Sequence, residues 1–387
     1  MKHSDKIQTA PDSFNNRRNF LKGGLLMSAG FLLNGQKPTF AAESAGQTTP
    51  QKSKVAFTAG KDRREMMNEV LTPFKDMIAE GVKGKKVLIK PNFVSTNNPL
   101  CATHVDAVRG VLDFLKPIYN GKITIGESPA GGSSMPGFQN YGYMPLQQEY
   151  GVEFADLNTH TTQTLYILDK DLRPQPIQVI SDFLDPDTYI ISVSRMKTHN
   201  TVVATMGLKN IVMGCPLNTG RPSSSKVLMH GASPRWLHYN LFLVAHRVRP
   251  NFTVIENLEG MQGDGPISGD PIEHGVSLAG PDVMAVDSIC AQLMDIPLEN
   301  IGYLNYCAEG GLGIIDRAKI DIIGDKKPQE YVKAYKLGSN ADTQLKWMQP
   351  LQMQDNEGGP FGSNTSGGGG GNRRAGGGGF GGARRGT

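Results

Sequence analysis

The densest group of chemically capable side chains is Arg195-Met196-Lys197-Thr198-His199-Asn200, continued at Gly207-Leu208-Lys209-Asn210. Two lysines and a histidine so close together can hold an anion, and crowding of cations lowers a lysine pKa. Lys197, His199 and Lys209 are therefore the candidate catalytic groups: a tuned lysine serves as base or nucleophile, and an imidazole as acid or base. The alternative is a solvated loop of charged residues. A site is favoured because the stretch directly follows an apolar run, Tyr189 to Ser194.

Other polar groups stand at the ends of other apolar runs. Lys90 and Asn92 follow one, Glu127 and Ser128 follow another, and Asn210 closes the stretch above. These five are the candidate substrate-binding residues. A third set lies along Glu256 to Asp270, where Glu256, Glu259, Asp264 and Asp270 alternate with glycines. Glu256 and Asp264, with His230 from a glycine-flanked loop, are the candidate ligands of a hard divalent cation such as Mg²⁺ or Ca²⁺. The spacing is not that of an EF-hand, and a glycine-rich surface loop is the competing reading. Asp287 sits inside the apolar pattern Val283, Val286, Cys290, Leu293. It either faces a ligand or ties its helix to a loop. His238 and His246 are eight residues apart, too far to chelate one metal directly, and read as edge-of-core residues.

The positioning elements follow from the hydrophobic pattern. Strands are predicted at Val55–Thr58, Lys86–Ile89, Lys122–Gly126, Val152–Ala155, Tyr189–Ser194, Phe252–Glu256, Val276–Ala279 and Ile320–Ile323. Helices are predicted at Arg63–Ile78, His104–Leu115, Arg235–Val248, Val283–Met294 and Ile301–Glu309. Alternation of strand and helix predicts a single α/β domain, a mostly parallel doubly wound sheet with flanking helices. In such sheets ligands lie beyond the C-terminal strand ends, where the polar residues above fall. Pro129 to Gly142 and Cys215 to Ser233 read as long loops.

The chain has 387 residues, a formal net charge of +4 and 38% hydrophobic residues, with the apolar deficit at the two ends. Arg17, Arg18, Arg373, Arg374, Arg384 and Arg385 lie outside the globular middle, which is close to neutral and suggests no specific nucleic-acid groove. None of Cys101, Cys215, Cys290 and Cys307 has C-x-x-C spacing, so no Fe–S cluster motif is written here.

Asn16 to Lys22 reads Asn-Arg-Arg-Asn-Phe-Leu-Lys, followed by a short apolar stretch and Thr39-Phe40-Ala41-Ala42-Glu43. The apolar stretch falls short of the roughly 20 residues of a spanning helix. The segment resembles a twin-arginine signal, which implies contact with the Tat export machinery, cleavage near residue 42, a periplasmic location and no transmembrane anchor afterwards. From Gly358 to Thr387 the chain is nearly all glycine, with arginine pairs, and is predicted to be a disordered tail. A sharper alternative is a basic arm that holds an anionic polymer or surface.

Taken in order, Val87–Asn92, Ser194–Asn200 with Gly207–Asn210, Glu256–Gly265, Asp282–Asp287 and Glu309–Gly313 resemble the DUF362 family over roughly Val55 to Gly324. The resemblance implies an α/β domain without an agreed reaction. Many members carry ferredoxin-type cysteine clusters, which this chain lacks, so an electron-transfer role is not implied. A more distant similarity is to nickel-pincer racemases of the lactate racemase type, which have a histidine, nine residues, then a cofactor-bearing lysine, with another histidine further on. His199, Lys209 and His230 repeat that order, whereas Glu127-Ser128 stands where those enzymes have a histidine after an early strand.

Three functions are open on these grounds. One is an enzyme acting on a small anion, with an undefined cofactor or a divalent metal. The second is a non-catalytic protein capturing the same ligand, and the third a surface-association protein working through its tail.

Overall fold

The computed structural model describes residues 52–231 and 233–349. The stretch resembling a twin-arginine signal, its expected cleavage position and the glycine-rich C-terminal stretch lie outside them.

The described residues form a single α/β domain. Its strands are β1 (Ser53–Ala59), β2 (Lys86–Lys90), β3 (Ile123–Glu127), β4 (Glu153–Asp156), β5 (Thr162–Leu168), β6 (Pro174–Ile180), β7 (Thr188–Ser194), β8 (Lys197–His199), β9 (Val203–Thr205), β10 (Phe252–Gln262), β11 (Asp270–Gly280) and β12 (Ile320–Ile323). The main sheet runs β12-β1-β11-β10-β7-β2-β3-β4, with β8 and β9 appended beside β10 and a separate β5–β6 hairpin. Every neighbouring pair along the main path is parallel except the two made by β11, which runs antiparallel to β1 and β10.

Alternation along the strands divides the apolar residues between two cores. Val87 and Ile89 of β2, and Tyr189, Ile191 and Val193 of β7, pack with helices Arg63–Leu71 and Val105–Leu115. Leu88 and Ile190 turn the other way, toward helices Gly207–Val212, Pro234–Ala245 and Val283–Leu293. A central parallel strand covered on both faces must be apolar throughout, which is why these strands read as continuous hydrophobic runs. Lys90 has the parity of Leu88, so its side chain emerges on the face of the helix Gly207–Val212.

Two conspicuous motifs are explained by packing. Asp282 caps the helix Val283–Leu293 through Oδ1, which accepts from the amides of Met284 (3.0 Å) and Ala285 (3.3 Å). Its Oδ2 accepts from Ser53 Oγ (2.6 Å) and the Ile314 amide (3.0 Å), joining β1 and the Glu309–Gly313 loop to the same carboxylate. A Cβ at Gly313 would stand 2.5 Å from Asp282 Oδ1, so glycine lets this loop approach.

The segment from Glu256 to Gly265 differs from the expected surface loop. Most of it is β10, an eleven-residue strand with a β-bulge between Asn257 and Glu259. Two of its three glycines, Gly260 and Gly265, admit neighbouring protein. A Cβ at Gly260 would lie 2.5 Å from Tyr335 Oη and 2.9 Å from the Met196 carbonyl. Gly260→Ala should therefore destabilise the fold by about 1–3 kcal/mol, the usual cost of overpacking. Urea unfolding of the variant tests this, and an unchanged midpoint would reject it.

The stretches read as loops also hold short helices, Met135–Asn140 and Ser225–Leu228. Among the described residues, no helix is long and apolar enough to cross a membrane.

Candidate functional site

A cavity of about 290 Å³ opens beyond the C-terminal ends of β2 and β3. Its lining includes Lys90, Asn92, Glu127, Ser128, His199, Lys209, Asn210 and His230, gathered from five separate stretches of the chain. Lys197, Glu256 and Asp264 are not in its wall.

The helix Gly207–Val212 carries Lys209 and Asn210, and a buried carboxylate sets its position. Asp287 accepts from the amides of Gly207 (2.8 Å) and Leu208 (2.9 Å), two donors that a helix N-terminus leaves free. Of the two readings of Asp287, the geometry supports the structural one: it ties one helix to the start of another. Gly207 is needed there, because a Cβ would meet the Thr253 side chain and lie 3.0 Å from Asp287 Oδ1.

Several polar groups of the cavity wall satisfy one another. Lys90 Nζ pairs with Glu127 Oε1 (2.7 Å) and donates to the Pro91 carbonyl (2.8 Å) and Asn210 Oδ1 (3.1 Å). An ammonium has three protons, so none remains for a ligand. Glu127 also receives the amides of Ser128 (2.7 Å) and Phe93 (2.6 Å). Asn210 Nδ2 donates to the Lys90 carbonyl and to Ser192 Oγ, both at 3.0 Å. Asn92 donates to Asn210 Oδ1 (3.1 Å) and accepts from Lys197 Nζ, which also donates to the Cys101 carbonyl (2.6 Å). These residues form a rigid polar wall that welds β2, β3 and the helix Gly207–Val212 together. Lys197 stands behind it, its pKa pushed down to about 7 by burial.

The titratable groups of the lining left with capacity for a ligand are Lys209, Lys226, His199 and His230. Lys209 is buried, and among the described residues its Nζ has no hydrogen-bond or ion-pair partner. Burial, then Lys197 and Lys226, push its pKa down to about 7. Lys226 donates to the carbonyl and the hydroxyl of Ser128, and burial brings its pKa down to about 8.

The imidazoles have defined tautomers. His199 Nδ1 accepts from the amides of Thr201 (3.0 Å) and Val202 (3.4 Å), so in the neutral ring the proton is on Nε2. Burial holds its pKa well below the ordinary value. His230 Nδ1 lies 3.1 Å from the Lys226 carbonyl, which can only accept, so the proton is on Nδ1 and Nε2 carries the lone pair. Desolvation and the nearby Lys209 lower its pKa as well.

The loop bearing His199 is held from two sides. Thr198 Oγ1 donates to the Gly263 carbonyl (2.7 Å), and the Asn200 amide donates to the Gly265 carbonyl (2.8 Å). From the other side, Gln344 Oε1 accepts from the Val203 amide (2.7 Å) and Asn340 Nδ2 donates to the Asn200 carbonyl (2.7 Å). Val203 itself has φ +67°, a strained value for a β-branched residue, at the reversal between β8 and β9.

The expected metal ligands are not brought together. Glu256 is wholly buried, with Oε1 accepting from Arg195 Nη2 (2.9 Å), Arg195 Nε (3.1 Å) and the His104 amide (2.9 Å). Its Oε2 accepts from Arg63 Nε (3.2 Å). Two guanidinium groups occupy the carboxylate, which corrects its expected role as a ligand. Asp264 is exposed and accepts from the Ser339 amide (2.6 Å). Among the described residues, no three His, Cys, Asp or Glu side chains are placed to hold a metal ion. The cavity's own donor set, one lone pair on His230 and a protonated Nε2 on His199, does not make a metal centre of protein ligands alone.

Lys226 escapes sequence reasoning because it lies in a stretch that reads as a loop. Its spacing of four residues from His230, with the contact between His230 Nδ1 and the Lys226 carbonyl, is the signal that pairs them.

These features define a class, a single α/β domain with a mostly parallel sheet and a polar cavity at its strand ends. The family model described as domain of unknown function DUF362 matches residues 87–292, more than half of the chain, and the protein belongs to that family. A thylakoid-associated protein of Synechocystis sp. is 28% identical over 218 residues, 55% of this chain and 64% of that protein, so the chain spans less than two thirds of that relative. Among solved structures, the lactate racemase apoprotein from Thermoanaerobacterium thermosaccharolyticum matches at 14% identity and a TM-score of 0.40, over 64% of this chain and 58% of that one. A protein from Thermotoga maritima matches at 12% identity and a TM-score of 0.34, over 56% of each chain. At these values neither structure bears on the reaction.

Proposed function

We propose that this protein is an enzyme that takes a small anionic substrate into the cavity, with Lys209 and His199 carrying the chemistry. The observation behind this reading is an excess of buried cationic groups around one space. Lys90 is neutralised by Glu127, but Lys209 and Lys226 face the same cavity without a carboxylate in ion-pair contact among the described residues. A buried cation without a counter-charge is costly, and an anionic ligand supplies the missing charge. The paired Arg17 and Arg18 support export by the twin-arginine machinery, so the reaction would take place in the periplasm.

Lys209 and Lys226 have pKa values of about 7 and about 8. Both are cationic below about pH 7 and neutral well above 8, so anion affinity should fall as pH rises through this window. Thermal unfolding at low ionic strength with inorganic phosphate, propionate and pyruvate checks this. The expected result is a rise in Tm that is larger near about pH 6 than near about pH 9 and is lost in Lys209→Ala. No rise with any of these anions would reject the proposal. Binding without conversion of any compound tried would leave the protein as a ligand-capturing module.

A further inference from the structure

The cavity holds an arrangement that anion binding alone does not require. Lys209 is an amine, more than nine-tenths buried, whose Nζ makes no hydrogen bond to any described residue. Around it stand two imidazoles with opposite capacities: His199 offers an Nε2 proton, and His230 offers an Nε2 lone pair. Lys226 is different, since its ammonium is anchored to Ser128 and points its charge at a fixed place. One lysine is thus anchored by two hydrogen bonds, and the other makes none to a described residue.

We propose that Lys209 is a nucleophile that forms a Schiff base with a small carboxylate bearing a carbonyl group, such as a 2-oxo acid. This deepens the function proposed above and rests on it. Lys226 holds the carboxylate. The lone pair of Lys209 Nζ attacks the carbonyl carbon, forming the C–N bond while the carbonyl π pair moves to oxygen. The His199 Nε2–H donates a hydrogen bond to that oxygen. The His230 Nε2 lone pair takes a proton from the nitrogen and returns it to the oxygen. The resulting hydroxyl leaves as water with one further proton from solvent, and the nitrogen lone pair forms C=N. The balance is amine, carbonyl and one proton giving protonated imine and water, with no oxidant or reductant needed. A desolvated amine among other cations is the environment that lets lysine act this way near neutral pH, and the lowered pKa of Lys209 agrees with it.

The test is reductive trapping. The whole protein is incubated with pyruvate and sodium borohydride near neutral pH, and the product is read by intact mass and peptide mapping. The expected result is a single secondary-amine adduct on Lys209, suppressed by excess propionate and lost in Lys209→Ala. Because mapping is done on the wild-type protein, a variant that folds poorly does not obscure the outcome. An adduct spread over surface lysines, or none at all, overturns the proposal. If phosphate and propionate still raise Tm in that case, the anion site stands and only the covalent step falls. If they do not, both readings fall together.

Discussion

Lys209→Met should give a protein more stable than the wild type at acid and neutral pH, although it removes a polar residue from the candidate site. The ordinary lysine pKa of 10.5 falls to about 7 in the fold because burial penalises the charged form. Below about pH 7 the native state carries that charge at full cost. Between about 7 and 10.5 the unfolded chain holds a proton that the native state has released, so wild-type stability climbs with pH over that interval. A tenfold change in proton affinity is worth about 1.4 kcal/mol, which makes the penalty on the order of 3–5 kcal/mol. Methionine keeps an unbranched apolar side chain in the same space without the charge. Urea midpoints across this pH range should show the variant ahead at about pH 6, with the gap closing toward about pH 10. A variant less stable than the wild type at every pH would mean that the ammonium has a counter-charge in the native protein.

Glu256→Ala should produce a comparable change of opposite sign. The carboxylate receives two guanidinium groups and a backbone amide, and Arg195 is almost fully buried beside it. Removing it leaves Arg195 charged, dry and unpaired, a loss of about 3–5 kcal/mol for broken buried pairs. Glu256→Gln should lose less, because the amide oxygen still accepts. The loss should be the same with and without a chelator. A loss seen only in metal-loaded protein would restore Glu256 as a cation ligand.

How far the sequence discloses the molecule depends on burial. β2, β7 and the first half of β10 lie under helices on both faces, so their apolar runs are legible. The β5–β6 hairpin is not, because both strands mix polar with apolar residues and are largely half-exposed, and Pro174 and Pro176 interrupt the second, features shared with loops. The far half of β10 is hidden by Gly260, which serves close packing against Met196 and Tyr335, and by the glycines that follow the strand. In the site, the strand-end rule locates Lys90, Asn92, Glu127 and Ser128. Position alone cannot tell that Lys90 and Asn210 bind each other while Lys209, one residue from Asn210, faces open space. That distinction depends on which side of a short helix each residue occupies. Glu256 misleads because an acid among glycines looks solvated, whereas its partners, Arg63 and Arg195, come from distant parts of the chain.

The clasp from Asn340 and Gln344 onto the loop bearing His199 has a consequence for the timing of assembly. Asn200 and Asn340 are separated by 140 residues, and Val203 and Gln344 by 141. Chains leave the ribosome at about 5–20 residues per second, so the segment around His199 emerges well before residues 340–344. The sheet and both cores can therefore gather while the strained turn at Val203 still lacks its anchor. The segment bearing His199 gains the restraints from Asn340 and Gln344 only when residues 340–344 emerge, so a nascent chain stopped before them should hold the sheet with an incompletely restrained candidate site.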